Sequence, residues 1–222
     1  MYSKFTFNTD NNASVSVSVY CDSLYKYDIQ CIADNNVAKA TSVMFRNYCK
    51  VTFYIDFHGL FNHTLEIKGI YKKIIFNKCY GVQSCFIDKL DDNLTDCSNM
   101  FCNFSKVQFL HDVLPKNVKY ILYMFHNSGL ADDVSLDIPD SVLDCSGLFS
   151  SSKYVKNITL NFNIIPTGKN VFPDKSISIK SNSTFSINLL SGVNLNSIQV
   201  KLFKDTCYKP CFFPGFKSIR SL

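Results

Sequence analysis

The chain has 222 residues, of which 46% are hydrophobic and 18% charged, and its formal net charge at pH 7 is +5. Its 20 phenylalanines and 12 tyrosines supply enough apolar side chain to form a core, which excludes an intrinsically disordered protein. Basic residues are spread along the chain without a run, and no window reaches the roughly 18 apolar residues needed to cross a bilayer. We therefore expect no nucleic-acid partner and no membrane insertion.

The first 36 residues have the alternating pattern of half-buried β-strands. Apolar and polar side chains alternate in Lys4–Phe7 and again in Ser14–Tyr20. Between these runs, Asp10–Asn12 has the composition of a turn, and Tyr27–Ala33 could add a third strand. We predict that residues 1–36 form an N-terminal β hairpin that caps the rest of the chain or offers an edge for docking.

A regular repeat runs through the centre of the chain. Three consecutive windows of equal length begin at Asn93, Asn117 and Ser141, align without a gap, and carry an apolar pair at their eighth and ninth places. Two looser copies upstream carry similar pairs at less regular intervals. The period of the three windows falls within the range of about 20 to 29 residues that is typical of leucine-rich and related solenoids.

We therefore predict a mainly β protein with short helical turns, in which residues 37–165 form a leucine-rich-repeat-like solenoid of about five repeats of 24 to 31 residues, flanked by terminal β segments. The predicted core ladder consists of the apolar pair of each repeat: Met44, Phe45, Ile75, Phe76, Met100, Phe101, Met124, Phe125, Leu148 and Phe149. Strands are expected at residues 107–109, 134–136 and 158–160, where short alternating runs follow the fifteenth place. Asp96 and Asp144 are positioned to cap short helical turns.

The repeat accounts for two of the ten cysteines without any chemistry. Cys97 and Cys145 occupy the same place in windows two periods apart, and Ile121 fills that place in the window between them. Because this place accepts either cysteine or isoleucine, we predict that it is an apolar packing position.

Residues 166–222 are predicted to form a C-terminal β cap followed by an aromatic tail. The tail contains Phe212, Phe213 and Phe216, which either pack on the core of their own chain or insert into a neighbouring subunit. A disulfide between Cys207 and Cys211 would staple this tail in an oxidising compartment.

The sequence provides no motif for metal binding or catalysis. The short-spaced candidates are Cys79 with Cys85, His58 with His63, and the Cys207–Cys211 pair, which supplies only half of a zinc site. The chain has no G-x-S-x-G elbow, P-loop, G-x-G-x-x-G or H-E-x-x-H motif. We predict that the protein is not an enzyme and holds neither a metal nor a cofactor.

Two segments of the repeat resemble a known family. Residues Asp96–Val107 read D-C-S-N-M-F-C-N-F-S-K-V, and Asp144–Val155 read D-C-S-G-L-F-S-S-S-K-Y-V. They resemble the repeat units of BspA-like leucine-rich surface proteins, of mycoplasma surface lipoproteins and of similar arrays in phage structural and tail proteins. The likeness covers residues 93–165 well and 37–92 weakly. It implies a surface or virion protein that acts through protein contacts.

Residues 1–10 lack the basic and apolar regions of a signal peptide, which favours a virion protein assembled in the host cytoplasm. We predict a non-enzymatic structural or attachment component of a phage virion, such as a tail, fibre or capsid accessory protein, that acts through protein–protein contacts. Its expected partners are other virion subunits or a host surface protein or glycan, and it is expected to be a homo-oligomer. The alternative is a cell-surface adhesin or host-interaction protein that binds protein or glycan through the solenoid face.

Overall fold

The computed structural model describes residues 1–59, 61–131, 133–154, 157–162 and 166, together with the backbone of three short strands at 177–181, 198–202 and 219–221. The strands are β1 (Tyr2–Cys21), β2 (Gln30–Ala33), β3 (Asn36–Val37), β4 (Lys39–Met44), β5 (Cys49–His58), β6 (Phe61–Lys68), β7 (Lys73–Lys89), β8 (Val107–Phe109), β9 (Asp133–Ile138), β10 (Asn157–Phe162), β11 (Ile177–Ser181), β12 (Ile198–Leu202) and β13 (Ile219–Ser221). A single turn of 3₁₀ helix spans Ser23–Tyr25. Among the residues described, no helix has the length and apolar character needed to span a bilayer.

The first sheet is organised around β1, which is 20 residues long and central. On one side, the second half of β1 pairs with β5 and its first half pairs with β6. On the other side, β7 follows β1 along most of its length, and all of these pairings are antiparallel. Outside them, β4 pairs with β5, and β2 pairs with β6 and β3.

β1 is folded back on itself near its middle. Tyr2 pairs with Lys68, and only four residues later the amide of Lys72 donates to the carbonyl of Tyr20 at 2.9 Å. Four residues reach at most about 14 Å, whereas a straight strand from Tyr2 to Tyr20 would be about 60 Å long. The two ends of β1 must therefore lie close together, which makes the sheet barrel-like and nearly closed.

Irregular backbone accompanies this bend, both in the β1–β7 pairing and between β5 and β6. The pairing of β1 with β7 shifts register between Thr9 and Ser14, opposite Gly81, which has a φ of +65°. A Cβ at Gly81 would lie 2.7 Å from the carbonyl oxygen of Asn12, so only glycine allows this approach. Gly59, with a φ of +97°, separates β5 from β6 at the same level.

The folded sheet encloses one end of the core. Phe5, from the first half of β1, meets Phe76 of β7 edge-on with ring centroids 5.0 Å apart. The alternating valines of the second half, such as Val15 and Val17, are buried on the same inner side.

Alternation in residues 1–21 predicted a strand correctly, but the expected hairpin is wrong. Asp10–Asn12 is a bend within one strand, and the partners of that strand come from residues 49–89.

The described residues between 90 and 162 continue the core as stacked turns. Parallel bridges join Lys73 to Asp96, Asp96 to Tyr120, and Tyr120 to Asp144, so that each turn lies against the next at the spacing of the sequence repeat. β8 pairs in parallel with β7, while β9 and β10 begin a five-stranded parallel sheet in the order β13-β12-β11-β10-β9. The predicted strands at 107–109, 134–136 and 158–160 coincide with β8, β9 and β10.

The predicted fold class, a leucine-rich-repeat-like solenoid of about five repeats, is nevertheless wrong. The main body of the protein is the antiparallel barrel-like sheet, and the two upstream copies expected at Met44-Phe45 and Ile75-Phe76 belong to it. β4 and β7 are antiparallel strands in which side chains alternate between two faces, so an apolar pair there is not a repeat of the later turns. The described residues therefore do not form the binding face of a five-repeat solenoid, on which the adhesin alternative relied.

Candidate interaction surface

β4 is an edge strand that is exposed on both faces. All six of its residues are exposed to solvent, and it stands at the end of the strand order of its sheet. Within the described part of the chain, β5 is the only strand that pairs with it. An edge of this kind presents backbone N–H and C=O groups to which another strand can bind.

The hydrogen-bonding pattern identifies the backbone groups that point outward. The amide of Phe45 donates to the carbonyl of Tyr48 at 2.9 Å, so these two residues form a hydrogen-bonded pair at the tip of the β4–β5 hairpin. Since such pairs alternate along an antiparallel ladder, the N–H and C=O groups of Ala40, Ser42 and Met44 point away from β5.

The other side of β5 leads to the same assignment. The amide of Gly59 donates to the carbonyl of Asn11 at 3.0 Å, in register with the β1–β5 ladder. Alternation from this bond directs the backbone groups of Val51 and Phe53 toward β1 and those of Thr52 toward β4. Both ladders therefore give the same assignment, in which Ala40, Ser42 and Met44 direct their backbone groups away from β5.

The inner face of β4 extends beyond the core. Ala40, Ser42 and Met44 stand opposite the buried residues Phe53, Val51 and Cys49 of β5, so they share the face that points toward the core. Met44 is nonetheless 48% exposed because no strand in the described residues covers this side. We call Ala40, Ser42 and Met44 the inner margin of β4, which is apolar except for Ser42.

The outer face carries three aromatic rings, Tyr20, Phe45 and Tyr48, which we call the aromatic cluster. The rings of Phe45 and Tyr48 are stacked, with centroids 4.5 Å apart and an interplanar angle of 18°. Tyr20 lies 6.0 Å from Tyr48 and also accepts a cation–π contact from Lys50 at 5.9 Å. Val43 adjoins the cluster and is 54% exposed. An edge strand bordered by exposed apolar side chains is typical of a protein-binding surface. We call β4 and the aromatic cluster together the β4 surface.

The histidine pair considered for metal binding is not brought together as ligands. His58 is exposed, whereas His63 is buried and its Nδ1 lies 2.6 Å from Oδ2 of Asp34. Nε2 of His63 faces the carbonyl of Gly59 at 3.4 Å, and the amide of Thr64 donates to the other oxygen of Asp34 at 2.8 Å. Both ring nitrogens thus face oxygen acceptors, and the contact ties the β2–β3 turn to β6. A shallow crevice of about 300 Å³ lies beside this turn.

The cysteines on β7 are packing residues. Burial raises the pKa of the Cys79 thiol to about 12 and holds that of Cys85 well above its usual value. A metal ligand or nucleophile requires the thiolate, which these surroundings disfavour. Over the described residues, no three potential ligand side chains come together to hold a metal ion. Cys207 and Cys211 lie outside the described residues.

A second crevice, of about 290 Å³, separates β8 from β9. The two chain segments are joined at both ends, where Val107 donates to the carbonyl of Gly129 at 2.8 Å and Asp137 donates to that of His111 at 2.7 Å. The lining of this crevice includes Phe86, Gln108 and Ser135. This packing defect brings together no group of catalytic side chains among those described.

The predicted ladder residues divide into two groups. Six side chains from the three regular windows are fully buried: Met100, Phe101, Met124, Phe125, Leu148 and Phe149. Phe76 is buried and Ile75 half-buried, because they alternate along β7. Met44 and Phe45 were wrongly assigned to the core: they are 48% and 43% exposed and belong to the β4 surface. The expected interface residues Phe212, Phe213 and Phe216 lie outside the described residues.

Sequence reasoning missed β4, although a signal was present. Thr41 and Val43 have strand propensity, the polar pair Arg46-Asn47 follows, and alternation resumes in Val51–Phe57. This is the pattern of a two-residue hairpin, although the Met44-Phe45 pair also resembles the apolar pairs of the repeat.

Comparison of the chain with known protein families, curated proteins and solved structures gives no match.

Proposed function

We propose that the protein is a non-enzymatic structural or attachment component of a phage virion and that it acts through protein–protein contacts made by the β4 surface. The observation that carries this proposal is the outward-facing backbone of Ala40, Ser42 and Met44 beside an exposed aromatic cluster. Such an edge binds an extended segment by strand addition, in which main-chain hydrogen bonds supply affinity and neighbouring side chains supply specificity.

The composition of β4 supports docking rather than protection. Proteins that remain separate usually blunt their sheet edges with inward-pointing charges, prolines or bulges. β4 contains no proline, its pairing with β5 has no register shift, and its one charged residue, Lys39, stands at its first position. The central residues Ala40–Val43 therefore present no charge that would repel an incoming strand.

The phage setting comes from the resemblance of residues 93–165 to repeats in phage structural and tail proteins. The stacked turns provide a rigid body behind the β4 surface, because their phenylalanine rings pack face to face through the core. In a structural component, such a body would transmit force between neighbouring subunits while the sheet edge makes the contact.

The test is site-specific photo-crosslinking in purified phage particles. Met44 is replaced by the photoreactive residue p-benzoylphenylalanine, and in a control the same residue replaces Tyr80, which is 65% exposed on β7. We expect the full chain to be found in particles by mass spectrometry, with a crosslinked peptide identified from position 44 and none from position 80. Crosslinking from position 80 and none from position 44 would exclude the β4 surface as the contact. Absence of the chain from particles, with recovery at the cell surface, would exclude the virion and support a cell-surface protein that binds its partner through another surface than a solenoid face.

A further inference from the structure

We infer that the strand bound at this edge is β4 of a second copy of the chain, which pairs antiparallel to the first about a two-fold axis at Ser42. This inference rests on the proposed function because it identifies the partner of the β4 surface. The partner follows from the pairing geometry and from the side chains that this geometry brings together.

The outward-facing backbone groups determine the register. In an antiparallel pair, hydrogen-bonded residues exchange both N–H···O bonds, so an outward-facing residue must stand opposite another outward-facing residue. With the axis at Ser42, Ser42 faces its own copy, and Ala40 faces Met44 of the other copy on either side of the axis. All three outward-facing residues of each strand are then paired. An axis at Thr41 or Val43 would leave one of these three pairs unmade.

This register also matches the side chains. On the inner face, the small Ala40 meets the long Met44, and the two serines meet at the axis. On the outer face, Thr41 meets Val43. These are cross-strand pairs of the polar and β-branched kinds that stabilise sheets. Because the two strands are identical, each unequal pair occurs twice, as a closed two-fold interface requires.

Charge favours the same arrangement. Lys39 is the one charged residue of β4, and in this register it stands opposite Phe45 rather than opposite the Lys39 of the other strand. An ammonium group next to an aromatic face makes a cation–π contact. Two such contacts form, one at each end of the paired strands, and each extends the aromatic cluster of one copy with the lysine of the other.

Pairing would cover apolar side chains that are now in contact with water. Met44, Val43 and Phe45 are 48%, 54% and 43% exposed in the single chain. Joining the two edges would make one sheet continuous through both copies, with the inner margin of each β4 covered by that of the other. A second copy therefore satisfies both the backbone groups and the apolar margin of this edge.

The first experiment measures native mass by light scattering for three forms of the full chain. Since the N–H of Ser42 points away from β5, Ser42→Pro removes a donor from the docking edge and leaves the β4–β5 bonds in place. Ser42→Ala is the matched control because it retains that N–H. We expect the wild type and Ser42→Ala to have twice the chain mass of 25.3 kDa. Ser42→Pro is expected to be monomeric, with at least a tenfold weaker dimer, and to unfold at an unchanged urea midpoint when compared as a monomer.

The second experiment tests the register and does not depend on proline. In Ser42→Cys, the two introduced thiols meet at the axis with Cα atoms about 5.5 Å apart, which is within the range of a disulfide. Oxidised glutathione takes up the two electrons and two protons released as the sulfur–sulfur bond forms, and is itself reduced. We expect a covalent dimer on non-reducing gels for Ser42→Cys, and none for the wild type or for Thr41→Cys, whose position faces Val43.

The outcomes separate this inference from the proposed function. A wild type that is monomeric at all accessible concentrations overturns the second copy as partner, and so does a dimer that survives Ser42→Pro and fails to crosslink through Ser42→Cys. If position 44 still crosslinks to a different protein in particles, the β4 surface remains the contact and only its partner changes. If the chain is absent from particles while the purified dimer persists and crosslinks through Ser42→Cys, the virion proposal fails and the self-pairing stands.

Discussion

Replacement of Phe125 by alanine tests whether the stacked phenylalanines hold the protein together. Phe125 is fully buried, and its ring is nearly parallel to those of Phe101 and Phe149, at centroid distances of 6.0 Å and 5.6 Å. Phe109 stacks against it at 4.9 Å. Removing the ring therefore takes one aromatic contact from each of Phe101, Phe109 and Phe149 and opens a cavity among them.

The expected loss is at the upper end of the usual range. Deletion of a buried phenylalanine side chain costs about 3 to 5 kcal/mol, and each aromatic pair contributes about 0.5 to 1.5 kcal/mol beyond the area buried. Phe125 takes part in three such pairs, and stacked turns joined on both sides have little freedom to collapse into the cavity. We expect Phe125→Ala to lower the free energy of unfolding by about 4 to 5 kcal/mol.

Urea unfolding followed by circular dichroism measures this loss, with Phe45→Ala as the matched control. The sequence places Phe45 and Phe125 in the same ladder, whereas the structure leaves Phe45 43% exposed. Both variants are made in the Ser42→Pro background so that dimer formation adds nothing to the measured stability. Phe45→Ala should then cost less than about 1 kcal/mol. A loss below about 1 kcal/mol for Phe125→Ala, or equal losses for the two variants, would refute the stacked phenylalanine core.

Three further results are expected. Cys97→Val should change the free energy of unfolding by less than about 1.5 kcal/mol in urea titrations, because Ile121 already fills the equivalent place. Burial raises the pKa of the Cys31 thiol from 9.0 to about 12. The unfolded chain therefore loses this proton first, and the stability it confers below pH 9 falls as the pH rises toward 12. Relative to Cys31→Ala, the wild type should lose about 1.4 kcal/mol more per pH unit within that window, measured by urea midpoints. In amide hydrogen exchange, the Ser42 amide should be slowed by dimer formation, while that of Thr41, already bonded to β5, should be protected in both states.

Local order within the stacked turns could be predicted from the sequence. Three windows without insertions place Met100 and Phe101, Met124 and Phe125, and Leu148 and Phe149 in equivalent turns, and both members of each pair are buried. Strands after the fifteenth place were also located correctly, since short alternating runs depend on neighbouring residues alone. Asp96 was expected to cap a helical turn. It instead accepts a hydrogen bond at 2.7 Å from the amide of Ser98 in a non-helical turn, which requires the same residue type.

The upstream extension of the repeat is wrong because an apolar pair occurs in two different structures, the stacked turn and the β-strand. In the stacked turns, adjacent residues such as Met124 and Phe125 both point into the core. In a strand, adjacent residues point to opposite faces, so Phe76 is buried while Ile75 is only half-buried. The upstream pairs lacked the Asp-Cys-Ser segment that precedes Met100 and Leu148 closely, and the intervals between them were longer than the regular period of the later windows. The interval between successive pairs thus distinguishes a pair in a stacked turn from a pair in a strand, whereas the similarity of the pairs does not.

The β4 surface could not be read from local pattern because an edge is a property of strand order. β1 pairs with segments that are distant in sequence, as in the pairs Cys21 with Cys49 and Lys4 with Lys89, and these pairings determine that β5 lies inside the sheet and β4 outside it. Alternation in Val51–Phe57 identifies a strand with one buried face, but the same alternation would be compatible with partners on either side. Once β1 occupies one side of β5, the hairpin tip at Phe45–Tyr48 compels β4 to take the other. β4 then stands beyond the core, where its six exposed residues contribute little to the stability of the single chain. Most of the local stability of this edge strand would therefore come from a bound partner strand.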